Sequence, residues 1–91
     1  MNLNDTDLNL FIAFEVIYNE RNLTKAGEVL GITQPAVSNA LSRLRDLFDD
    51  ELFVRTSKGM VPTAVAQNIA KDIKDGLNLF RNTISDSSTF T

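Results

Sequence analysis

Gln34, Ser38, Asn39 and Ser42 lie within nine residues of one another, and all four carry short, neutral side chains that hydrogen-bond. At about 100° per residue, a helix over this stretch gathers them on one side with Pro35 and Arg43, and puts Val37, Ala40, Leu41, Leu44, Leu47 and Phe48 on the other. An ordinary solvated face is the simplest use for the polar side. Solvated faces, however, favour Glu and Lys, which keep helix propensity, whereas Ser and Asn are poorer helix formers. Short hydrogen-bonding groups suit a helix that must sit deep in the DNA major groove. Gln and Asn can pair bidentately with adenine, Ser can serve any base, and the apolar atoms of Pro35 or Ala36 can touch a thymine methyl. Base contacts concentrate at the N-terminal end of a recognition helix, where Gln34, Pro35 and Ser38 fall.

The neighbouring elements must hold that helix in place. Thr33 can cap it, with Pro35 in the first turn, where no intrahelical N–H is lost, and the pattern runs to about Phe48. Upstream, Thr24 can cap a short helix that turns Ala26, Val29 and Leu30 inward and ends at Gly31 as C′ residue. Only Ile32 separates Gly31 from Thr33, so the two helices read as a helix-turn-helix. A first helix capped by Asp5 or Thr6 runs to about Asn19. It is apolar nearly all round, with a narrow polar strip at Asn9, Glu15 and Asn19, so it should be buried on more than one side.

Downstream, "ELFVRTSKGMVP" reads as a hairpin: Leu52 to Arg55 as one strand, "TSKG" as the turn, Met60-Val61 as the return, ended by Pro62. Arg55 and Lys58 flank the turn and could reach phosphate or the adjoining minor groove; ordinary surface charge is the other reading of both. Thr63 then caps a last helix of about twenty residues. Ala66, Ala70, Ile73, Leu77, Phe80 and Ile84 repeat along it at four, three, four, three and four, a heptad-like stripe suited to dimerisation. The tail "SDSSTFT" reads as a linker.

At 91 residues the chain should form one domain. Without cysteine or histidine it has no disulfide, no thiolate nucleophile, no usual zinc ligand and no imidazole base. No glycine loop is built to cradle phosphate, so an enzyme is not expected, nor a metal or cofactor. No apolar run approaches the ~20 residues of a membrane span, and the polar, acidic N-terminus is not a signal peptide; a cytoplasmic protein is expected. The net charge of −3 runs against nucleic-acid binding, but its distribution does not. Between Arg21 and Arg45 stand four cations, Arg21, Lys25, Arg43 and Arg45, against Glu28 alone. The acids collect elsewhere, and screening over ~8–10 Å lets a local positive face act on an acidic molecule. The rival reading is a helix-turn-helix used only for protein association through the stripe on the last helix.

The run Thr24-Lys25-Ala26-Gly27 … Leu30 … Thr33-Gln34-Pro35-Ala36-Val37-Ser38 … Leu41 … Leu44, followed by Leu52-Phe53-Val54-Arg55-Thr56 … Met60-Val61-Pro62-Thr63, resembles the N-terminal domain of LysR-type transcriptional regulators over about residues 5 to 85. The resemblance implies a mainly α fold: a winged helix-turn-helix of three helices and a short β-hairpin wing over residues 1–62, a dimerisation or linker helix over 63–85, and the start of an interdomain linker at 86–91. It implies that Gln34, Pro35, Ser38 and Asn39 occupy base-reading or groove-contacting positions and that Arg55 makes the wing contact. Thr24, Thr33, Ser42, Arg43 and Lys58 complete the expected DNA-contacting set. The expected partner is double-stranded DNA with inverted-repeat half-sites, bound by a homodimer, or by a tetramer in the full-length protein. An effector would act only through a C-terminal domain outside this sequence, and no membrane is involved. Two positions depart from the family pattern. Asn39 stands where arginine is frequent, and Gly27, where alanine is frequent, should loosen the second helix by up to ~1 kcal/mol.

Overall fold

The computed structural model describes residue 3 and residues 6–89, with side chains to residue 86. In chain order it contains α1 (Asn9–Glu20), α2 (Leu23–Leu30), α3 (Gln34–Phe48), β1 (Phe53–Thr56), β2 (Gly59–Pro62) and α4 (Ala64–Thr89). This is the expected architecture, three helices, a two-stranded antiparallel hairpin and a long final helix. No helix among the described residues is long and apolar enough to cross a membrane.

Helix ends follow capping chemistry, though not always at the expected residue. Thr33 caps α3 as expected, its Oγ1 accepting the Ala36 N–H at 3.3 Å, and Gly31 ends α2 in the left-handed conformation at φ 71°. The cap of α2, however, is Asn22 and not Thr24: extended at φ −151°, it accepts the Lys25 N–H at 2.9 Å. Starting the helix there lets Leu23 enter the core. At α1 the work expected of Asp5 or Thr6 is done by Asp7, whose carboxylate accepts the Asn9 N–H at 2.9 Å while its carbonyl accepts that of Leu10; Asp5 lies outside the described residues. Helix α4 continues to Thr89, four residues past the expected end, because nothing between Asp86 and Thr89 is glycine or proline.

The core lies where α1, α2 and α3 meet the hairpin and the first turns of α4. Phe14, Ile17, Ala26, Val37, Leu41, Leu44, Leu52, Phe53 and Ala66 are all essentially inaccessible to solvent. Phe14, Tyr18 and Phe53 pack their rings at 5.5–6.3 Å between centroids, joining α1 to the first strand. Beyond Ile73, α4 leaves this core. Its outer half is tied back to α1 by an ion pair between Arg81 and Glu15.

Two knots orient the hairpin. The carbonyl of Arg21, itself left-handed at φ 56°, accepts the Met60 N–H at 2.9 Å, while the guanidinium stacks on the Tyr18 ring and donates to the Tyr18 carbonyl. At the other end, Asp50 accepts the Leu52 N–H at 2.8 Å and the Thr63 hydroxyl at 2.7 Å, and Thr63 in turn caps α4 by accepting the Ala66 N–H. Those two donors hold the Asp50 carboxyl below the usual carboxylate range. The first knot links the wing to α1, the second links the wing to α4.

Candidate nucleic-acid interface

The face proposed from the sequence is present and open. Gln34, Pro35, Ser38, Asn39 and Ser42 are all exposed on α3, while Val37, Leu41 and Leu44 on the opposite side are buried. Because none of these five residues belongs to the core, the polar side is available for a ligand without loss of packing. Asp46, also exposed, stands one turn beyond Ser42 and places an acid on the same face. Its charge makes the C-terminal end of this face less favourable to a polyanion than the Gln34–Ser38 end.

The cations sort differently from the expectation. Arg45 donates to the Glu51 carbonyl at 2.7 Å and the Phe53 carbonyl at 2.8 Å, fastening the end of α3 to β1. Arg21 is occupied by Tyr18, as above. Arg43, one of the expected contacts, pairs with Asp7 at 3.5 Å. The side chain of Thr33 serves the α3 cap, and Thr24 is exposed as the second residue of α2, next to exposed Lys25. Thus the four cations between Arg21 and Arg45 do not act as one patch: two hold the fold together and Lys25 faces solvent.

Wing cations lie on the hairpin. Phe53 pairs with Pro62 and Arg55 with Met60 across the strands, and the Thr56 hydroxyl organises the turn by donating to the Gly59 carbonyl and accepting the Lys58 N–H. Arg55 and Lys58 are exposed, and neither forms an ion pair among the described residues. Arg55 therefore does not tie down the hairpin through an acid. Arg55→Ala is expected to leave the melting temperature nearly unchanged, to weaken binding to many duplexes alike, and to flatten the log–log salt slope by roughly one unit, read by fluorescence anisotropy across a salt series.

Gly27 has a different part from the one expected. It is buried, and a Cβ built on it would lie 2.8 Å from the Ile32 carbonyl oxygen, 3.4 Å from a Val37 methyl and 3.7 Å from the Gln34 nitrogen. Its absence of a side chain lets the turn and the start of α3 close onto α2. The lost helix propensity is thus exchanged for a close approach that places Gln34. Sequence periodicity shows the missing methyl but not the carbonyl facing it.

The stripe on α4 divides in two. Ala66 is fully buried within its own chain's core and Ala70 and Ile73 pack against that core, so Ala66 cannot belong to a surface seam. Leu77 is half-buried, whereas Phe80 and Ile84 are exposed by 65% and 69%. Along Ile73, Leu77 and Phe80 runs an apolar groove of about 630 Å³, walled on its other side by Leu8, Phe11, Leu47 and Phe48. It accounts for most of the apolar pattern of α1: Leu10, Phe14 and Ile17 face the core and Phe11 the groove, while Ile12 is exposed.

Comparison with known proteins places this geometry. Residues 8–67 match the family described as bacterial regulatory helix-turn-helix protein, lysR family. The chain is 46% identical over 90 residues to the HTH-type transcriptional activator NagR of a Ralstonia species, covering 99% of this chain and 30% of that protein. The crystal structure of the probable transcriptional regulator PA0477 from Pseudomonas aeruginosa superposes with a TM-score of 0.87 at 37% identity, over 92% of this chain and 28% of that one. A BenM DBD crystallised with catB site 1 DNA has the same fold, with a TM-score of 0.84 at 21% identity over 93% of this chain and 96% of that one. The sequence therefore spans about a third or less of the length of the regulators it matches. By the match over residues 8–67 and the fold that carries it, the chain belongs to the LysR family of bacterial helix-turn-helix regulators.

Proposed function

We propose that this chain binds double-stranded DNA sequence-specifically as a homodimer and serves as the DNA-binding part of a longer cytoplasmic transcriptional regulator. The observation that carries the reading is the exposed Gln34–Pro35–Ser38–Asn39–Ser42 face on the second helix of a helix-turn-helix. Such a face enters the major groove while Arg55 and Lys58 on the wing, and Lys25 at the start of α2, meet the backbone. The module is a reader, not a catalyst. Pairing through the apolar groove along α4 would hold two α3 helices at a fixed separation, so the preferred site is an inverted repeat with half-site centres about 10 bp, or a multiple of it, apart. In the full-length protein, which could assemble further to a tetramer, an effector would act through a C-terminal domain. The alternative, association through α4 without DNA, leaves the Gln34–Ser42 face without a use.

Selection of bound sites from random duplexes, run side by side with wild type and Gln34→Ala, tests the proposal. Gln34 is exposed and outside the core, so Gln34→Ala should fold normally, lose about 1–3 kcal/mol of discrimination at one base pair per half-site, and keep its non-specific affinity. An unchanged motif at every position would show that Gln34 reads no base. Absence of any salt-dependent binding to duplex DNA by the wild type would sink the proposal itself.

A further inference from the structure

We propose that Asp7 is a specificity-determining residue: paired with Arg43 at the edge of the groove-facing helix, it withholds that cation from DNA phosphates until α3 is fully seated. This rests on the DNA-binding reading above. Arg43 follows Ser42 directly and lies one turn beyond Asn39, on the flank of α3 that meets the start of α1. Its guanidinium lies 3.5 Å from one carboxylate oxygen of Asp7, while the other accepts the Asn9 N–H at 2.9 Å. The second contact matters, because it fixes the carboxylate at the head of α1 instead of leaving it to swing freely. Both partners remain open to solvent, the side chains being 52% and 39% exposed, so the pair is weak and a phosphate can replace it.

Electrostatic consequences follow. A cation partly neutralised by a protein carboxylate releases less counterion from DNA, so Arg43 adds less to loose, sequence-independent association than a free arginine would. Asp7 also brings its own negative charge to the phosphates. Only when base contacts at Gln34 and Ser38 draw α3 into the groove does a phosphate come close enough to take Arg43 from Asp7. The pair thereby lowers non-specific affinity more than specific affinity. In a protein with Asn39 in place of a cation, and with Arg45 turned onto carbonyls, Arg43 is the one arginine of α3 left to be controlled in this way.

Asp7→Asn isolates the charge, since the amide oxygen can still accept the Asn9 N–H and keep the cap of α1. Affinities of wild type, Asp7→Asn, Arg43→Ala and the double variant for a selected site and for a scrambled duplex would be measured over a salt series, with thermal melts confirming that each is folded. Asp7→Asn is expected to tighten binding to the scrambled duplex about two- to five-fold, to steepen its salt slope by up to about 0.9, and to narrow the ratio between the two duplexes. In the Arg43→Ala background the same change should have no such effect on the ratio. Equal gains from Asp7→Asn with and without Arg43 would show general charge removal and overturn the proposal, as would no change in either duplex. A wild type that fails to bind duplex DNA at all would instead defeat the DNA-binding reading, and it would be seen before any variant is compared.

Discussion

If the proposed homodimer forms through the α4 groove, Leu77→Asp is expected to convert it into a folded monomer. Leu77 is half-buried on α4 between Ile73 and Phe80 and contributes to the apolar groove shared with Phe11, Leu47 and Phe48. In the isolated chain an aspartate there can keep water on one side, and α4 stays anchored through Ala66, Ile69, Ala70 and Ile73, which belong to or pack against the core. When a second copy covers the groove, the carboxylate is desolvated without a partner, at a cost of several kcal/mol. About 3 kcal/mol raises the dimer dissociation constant by roughly two orders of magnitude. Sedimentation of wild type and variant at matched concentrations reads the change, and the helical circular dichroism of the monomer should persist. DNA affinity for an inverted repeat should fall steeply while affinity for a single half-site changes little, because the α3 face is untouched. A wild type that sediments as a monomer at micromolar concentrations would remove the basis of the prediction.

Gly59→Ala should be the most damaging single methyl in the hairpin. Gly59 sits at φ 108°, where a side chain is strained, and a Cβ built there would lie 2.7 Å from the Arg21 carbonyl oxygen. That carbonyl is the acceptor for the Met60 N–H, so relieving the clash also breaks the bond that docks β2 onto the end of α1. Backbone strain of about 1–3 kcal/mol and roughly 1 kcal/mol for the hydrogen bond together put the loss near 2–4 kcal/mol. For a domain of this size the melting temperature should drop by something like 10 °C or more. Gly31→Ala is the control. It shares a positive φ of 71° but has open space around the added methyl, so it should suffer the strain and escape the clash. Equal losses for the two variants would mean that the approach to Arg21 is unimportant.

Much of this protein was legible in its amino-acid order. The helix-turn-helix, the hairpin and the polar face of α3 follow from local rules: Thr33 and Thr63 as caps, Gly31 at a left-handed position, Pro35 in a first turn, and apolar side chains returning every three or four residues. These rules act within one or two turns of chain, so the sequence alone determined which elements form and which side of α3 is polar. The cap of α2 was not legible in this way: Thr24 was expected, but the helix starts earlier, at Asn22, which brings Leu23 into the core. Tertiary structure alone decided the fate of the cations. Arg21, Arg43 and Arg45 are alike as charges along the chain, yet one stacks on Tyr18, one meets Asp7 and one grips two carbonyls 6 and 8 residues away. The same holds for Gly27, whose missing methyl acquires a purpose only when the Ile32 carbonyl is brought against it, and for Ala66, which packs inward where its heptad neighbours Phe80 and Ile84 face out. Periodicity states that a residue lies on a face; which partner meets that face is set by how separate elements close on one another, through distances that no local pattern encodes.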